Sequence, residues 1–205
     1  MPAGCRPRQP GVAEAVFARL LGATGATVAR LEAQMPPEFR GLFATTFARR
    51  AVRAENFAAL RHLSGVSGAL AADFRASAAH LPWFQTYGSA DFGAEFLKVY
   101  AACELVGPRG PFVSAEFSCG VLLLGPGVLY PEHWHAAAEV YVPLSGHAEW
   151  FRAGEGWSLQ APLTVIHHAS NQKHAMRTGA EPLLALYIWR GGDLAQKSFH
   201  GTGPG

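Results

Sequence analysis

Along the first eighty residues apolar side chains recur every three or four positions, and from about residue 111 they gather in short runs separated by glycine and proline. The first spacing lines one face of an α-helix; the short punctuated runs read as β-strands. Val12, Val16, Phe17, Leu20 and Leu21 form one helical stripe, Phe39, Leu42, Phe43 and Phe47 a second, and Leu70, Phe74 and Leu81 a third. Gly22 and Pro36-Pro37 break the stripes apart, and Ala72, Ala76, Ala78 and Ala79 raise helix propensity around the third. Four or five short helices are predicted over residues 10–80, with Pro37 beside a helix start.

The later half predicts strands at Phe112–Ser118, Val121–Leu124, Val140–Leu144, Ala148–Phe151, Trp157–Gln160, Val165–His168, His174–Thr178 and Leu183–Trp189. Glycine and proline punctuate them at Gly125-Pro126-Gly127, Ser145-Gly146, Gly154-Glu155-Gly156 and Gly179–Pro182. Many short, evenly spaced strands predict an antiparallel sandwich or barrel. Between the halves, a helix over Ala90–Leu97 and a first strand over Val99–Leu105 are expected. The division is therefore residues 1–85 as a helical segment packed on a barrel, 86–200 as the barrel, and 201–205 as a frayed tail.

Composition narrows the class. Of 205 residues, 49% are hydrophobic and only 16% charged, which excludes a chain disordered throughout. The net charge of +2 is scattered, so no nucleic-acid partner is expected. No run approaches 18 uninterrupted apolar residues, and Glu14 and Arg19 interrupt the only N-terminal candidate. Neither a membrane span nor a signal peptide is expected. Cys5, Cys103 and Cys119 have no CxxC spacing, which fits a reducing compartment. The expectation is a cytoplasmic protein; a homodimer is left open.

Six of the nine histidines lie between positions 133 and 174. On a strand His133 and His135 share a face, and Glu139 can return a carboxylate to the same point after a short turn. Two imidazoles and a carboxylate suit one divalent transition metal (Fe, Mn, Ni or Zn) with positions left open for a ligand. Tyr141 shares strand parity with Glu139, while Val140 and Val142 point into the wall. Glu104 and Glu149, on predicted strands, are candidate partners of the site outside the ligand set, with solvated positions the expectation.

Gly127, His133, His135, Glu139 and Gly146 resemble the first motif of the cupin superfamily, G(X)5HXH(X)3–4E(X)6G, at every named position. The resemblance implies a mainly β fold with α: a C-terminal double-stranded β-helix (jelly-roll) barrel behind an N-terminal helical segment. It also implies a fourth ligand, a histidine from a second motif. One register uses Gly156, Pro162, His167 and Asn171; the other uses His174. The second is preferred, because His174–Thr178, Gly179–Pro182 and Leu183–Trp189 read as the hairpin where that family places its last ligand. His167 and His168 are then expected outside the ligand set or partly exposed.

The flanks are similar to a narrower group. Leu122–Gly127, Tyr130 to Tyr141, His174–Thr178 and Pro182 through Trp189 look like the cupin-type dimethylsulfoniopropionate (DMSP) lyases of the DddL/DddQ/DddW group. This implies β-elimination of a small molecule, DMSP, to dimethyl sulfide and acrylate, without nucleic acid or membrane. Tyr141 then occupies the general-base position and Tyr130 that of a second active-site tyrosine. A tyrosine titrates near pH 10, so as a base it needs a nearby cation to favour the phenolate. Trp134, Tyr187 and Trp189 are candidate aromatic seats for a sulfonium. Rival readings are another metal-dependent cupin enzyme, a dioxygenase or isomerase on a small carboxylate, or a non-catalytic small-ligand-binding cupin.

Overall fold

The structure is a computed structural model that describes residues 11–201; Cys5 and residues 202–205 of the tail expected to fray lie outside the described residues. The first stripe becomes one helix, α1 (Val12–Leu31), which runs straight through Gly22. A glycine costs a helix only about 1 kcal/mol. Here the buried face of Phe17, Leu20, Val28 and Leu31 offsets it. By length and composition Val12–Gln34 would pass for a membrane span, against the expectation of none, but it is interrupted by charges and packs in the core through that face. The second stripe is not a regular helix. After a 3-10 turn at Pro37–Phe39 the chain bends, and Phe43 and Phe47 pack edge-on against Phe117 at 5.5 and 5.8 Å. The third stripe forms α2 (Ala69–Ser77) and a 3-10 turn, and α3 (Ser89–Leu97) falls where the bridging helix was expected.

Thirteen strands follow the chain among the described residues: β1 (Ala48–Arg49), β2 (Trp83–Phe84), β3 (Tyr100–Val106), β4 (Phe112–Val113), β5 (Phe117–Leu124), β6 (Leu129–Trp134), β7 (Ala138–Ser145), β8 (Ala148–Arg152), β9 (Gly156–Gln160), β10 (Ile166–His168), β11 (His174–Thr178), β12 (Leu183–Arg190) and β13 (Phe199–His200). One sheet has the order β1-β4-β3-β5-β12-β7-β10 with β2 added on β3; the other is β13-β6-β11-β8-β9. All pairs are antiparallel except β3 with β4. The two expected strands around residue 120 are one, because Cys119 and Gly120 continue the ladder into β12. Strands β1 and β2 come from the first half and extend the large sheet, so the early segment is not purely helical.

Strand alternation sorts the large sheet into two faces. Ala101, Cys103, Val121, Leu123, Val140, Val142, Leu184 and Leu186 pack outward with the helices. Tyr100, Leu122, Tyr141, Ala185 and Tyr187 point inward with Trp150 and Met176 of the second sheet. Both faces are covered, which is why β3 and β5 read as nearly continuous apolar runs. This is an antiparallel barrel of two facing sheets, as the strand spacing predicted, with helices on its outside.

Candidate metal centre and pocket

Three histidines are oriented by backbone carbonyls. The Nδ1 atoms of His133, His135 and His174 each lie 2.8 Å from a carbonyl oxygen, those of Pro131, Ala137 and Gln172. A carbonyl only accepts, so each Nδ1 carries the proton and each Nε2 keeps its lone pair. Glu139 Oε2 is the meeting point: His135 Nε2 is 3.1 Å away, His174 Nε2 3.3 Å and His168 Nδ1 3.4 Å. The carboxylate's other oxygen accepts from Trp189 Nε1 at 2.6 Å. His135, Glu139 and His174 offer ligand atoms all within 4.8 Å of one another. His133 stands beside them, its ring 4.1 Å from that of His174.

This donor set fits a divalent metal. His174 Nε2 and both nitrogens of His168 are buried without a hydrogen-bond partner, an arrangement proteins avoid unless something else satisfies the lone pairs. Burial opposes the charge on Glu139, but the close approach of His135, His168 and His174 outweighs it and holds its pKa well below the usual range. Burial, with His174 beside it, pushes His133 well below its ordinary value and His168 down to about 3. Burial thus keeps His133 and His168 neutral, the form in which an imidazole can bind metal.

The structure sorts the remaining candidates. His167 faces away, half-buried against Phe39 at 5.9 Å. His168, expected outside the ligand set or partly exposed, is fully buried, sits opposite Glu139 across the β7–β10 pair and stacks on His174 at 4.0 Å. Adjacent histidines on a strand must point to opposite faces, and that parity was the signal for it. Trp134 is a correction. Lying between His133 and His135, it faces out of the barrel, stacks on Phe199 at 6.1 Å and carries Lys173 Nζ 4.7 Å above its ring. It does not line the pocket.

That pocket runs beside His133 and is walled by Tyr130, Tyr141, Tyr187 and Trp189. Tyr130 and His133 are three apart, which on a regular strand would set them on opposite faces. An extra residue in β6 relative to β11 (His133 opposite His174, but Tyr130 opposite Met176) turns both inward, at a bulge containing Pro131. Tyr130 stacks on His133 at 4.0 Å, and its hydroxyl shares a 2.8 Å hydrogen bond with Tyr87, which sequence reasoning missed. Burial pushes the phenol of Tyr141 well above its ordinary value, and the neighbouring Glu139 charge adds to the effect. Glu104, expected in solvent, is only 3% exposed and lines the pocket; Glu149 pairs with Arg177 at the surface.

A family model described as dimethylsulfoniopropionate lyase matches residues 43–185. The chain is 36% identical over 118 residues to dimethylsulfoniopropionate lyase DddQ of Ruegeria pomeroyi, covering 58% of this chain and 59% of that protein. It is 30% identical over 138 residues to the putative dimethylsulfoniopropionate lyase DddL of Cereibacter sphaeroides, covering 64% of this chain and 53% of that protein. The match thus spans between half and three-fifths of these curated relatives. The crystal structure of DMSP lyase DddQ from Ruegeria pomeroyi superposes with a TM-score of 0.81 at 28% identity, covering 91% of this chain and 96% of that one. A chain from the crystal structures of DMSP lyases RdDddP and RnDddQII gives 0.80 at 29% identity, covering 93% of this chain and all of the other.

Proposed function

The chain belongs to the dimethylsulfoniopropionate lyase family, and from that premise we propose that it cleaves DMSP to dimethyl sulfide and acrylate. The observation that carries this reading is Tyr141, a buried phenol two residues from Glu139 and turned into the same pocket as His133. His133, His135, Glu139 and His174 would hold one divalent transition metal. Bound there, it supplies Lewis acidity toward a substrate carboxylate and positive charge that lowers the phenol's pKa.

The protein's own groups do the rest. Tyr141 takes the proton from the carbon next to the carboxylate. The electron pair left behind forms the carbon–carbon double bond, and the carbon–sulfur bond breaks to release dimethyl sulfide. Tyr130, held by Tyr87 and stacked on His133, orients the substrate. Tyr187 and Trp189 offer ring faces to the sulfonium, which has no acidic donors to hydrogen-bond. Among the described residues, the segment before residue 86 acts as a wrap on the barrel and supplies no metal ligand. The buried free thiols of Cys103 and Cys119 suit a reducing cytoplasm. The test is headspace gas chromatography of metal-reconstituted protein with DMSP. Dimethyl sulfide and acrylate in equal amounts support the reading; intact DMSP with metal bound overturns it.

A further inference from the structure

Glu104 is a buried carboxylate without a cation. Its Oε1 accepts from the backbone N–H of Gly110 at 2.7 Å and from that of Arg109, and its Oε2 accepts from the Ser118 hydroxyl at 2.9 Å. Among the described residues no Lys, Arg or His lies within ion-pairing distance of it. Arg109, the nearest cation on the pocket wall, is exposed, with its guanidinium over the Phe84 ring at 5.6 Å. Burying an ionised carboxylate without a counter-charge is costly, and proteins seldom keep one without a use for it.

Register places this group in line with the proposed base. Glu104 pairs with Gly120, Gly120 with Tyr187, and Tyr187 with Tyr141, so all four share the inner face of the large sheet. Across strands about 4.8 Å apart the row reads acid, gap, aromatic ring, base. The gap is enforced: a Cβ on Gly120 would lie 1.8 Å from the carbonyl oxygen of Cys103. Gly120 therefore places no side chain between Glu104 and Tyr187 on that row. Glu104 and Tyr141 line the same pocket.

We propose that Glu104 makes the pocket selective for zwitterions, facing the onium end of a short carboxylate whose other end lies at Tyr141 and the histidine cluster. This deepens the lyase reading and rests on it for the placement of the carboxylate. It disfavours carboxylates of the same shape that lack a cationic end, which would leave Glu104 unanswered.

The test is calorimetric binding to metal-loaded protein of two non-eliminating probes of equal shape. One is 3-(trimethylammonio)propionate, the other 4,4-dimethylpentanoate, its isostere with a neutral tert-butyl end in place of the onium. Wild type should bind the zwitterionic probe at least about tenfold more tightly, a floor well below the roughly thousandfold that one charge pair at about 4 Å and an effective dielectric near 20 would give before desolvation. Glu104→Gln keeps the acceptor for Arg109 and Gly110, so it should retain the isostere's affinity, which also reports folding, and lose the preference. Ser118→Ala keeps the charge and should keep the preference. Equal affinities in wild type, or a preference that survives in Glu104→Gln, overturn the proposal. If Glu104→Gln does not fold, the wild-type pair and Ser118→Ala decide by the same criterion. A Glu104-dependent preference without dimethyl sulfide release contradicts the lyase reading alone; release without the preference contradicts this inference alone.

Discussion

At the scale of single residues, the site is organised by what each nitrogen already does. Because Nδ1 of His133, His135 and His174 is committed to backbone carbonyls, only Nε2 is free to bind a metal. His135→Ala and His174→Ala should therefore lose metal in elemental analysis, whereas His167→Ala, whose ring rests on Phe39, should keep it. Trp189 holds Glu139 through its indole N–H and lies 4.1 Å from the His135 ring. Trp189→Phe removes that donor and keeps a ring; outer partners of this kind are worth about 10–100-fold in metal affinity. Competition with a chromogenic chelator would measure the loss. Protons compete for the same atoms. In the metal-free protein His133 and His168 have lowered pKa values, so the unfolded chain binds more protons than the folded one below pH 6.5. Their contribution is fully present above 6.5 and is lost as pH falls toward about 3 for His168, so denaturant midpoints should drop across that window. Midpoints rising as pH falls would contradict neutral burial.

At the scale of elements, most of the β half was legible because glycine and proline punctuate short apolar runs: β11 falls where His174–Thr178 was expected. The ligands were legible because HxH with a following glutamate requires only local parity. Three things were not. The β6 bulge that turns Tyr130 inward depends on its pairing with β11, not on its own sequence. Strand β13 is two residues long and exists only by pairing with Trp134 and His133. Glu104 reads as an ordinary polar strand residue until its partners at Arg109, Gly110 and Ser118 are folded around it. The segment carrying β13 also closes the pocket, with Leu194, Gln196 and Ser198 in its lining. It is tied to α3 through Asp91, whose carboxylate meets Lys197 at 2.6 Å and His200 at 2.9 Å. Asp91→Ala should speed amide exchange over residues 194–200 and leave the barrel strands protected. Unchanged exchange there would show that β13 pairing alone holds the segment.

At the scale of the whole molecule, the helices and the second sheet cover opposite faces of one large sheet, and the chemistry faces the second sheet. Metal binding should stabilise the native state, since ligands from β7, β11 and the end of β6 converge only after folding. The central claim is that this convergence makes Tyr141 a base. General-base catalysis typically contributes about 10²–10⁴-fold, and a phenylalanine keeps the ring while removing the oxygen. The direct measurement is dimethyl sulfide release from DMSP by metal-loaded wild type and Tyr141→Phe, with metal content determined on the same samples. The account predicts equal metal in both and a rate lower in the variant by about 10²–10⁴-fold, with Tyr130→Phe milder. A Tyr141→Phe protein that carries full metal and releases dimethyl sulfide at near wild-type rate would contradict it.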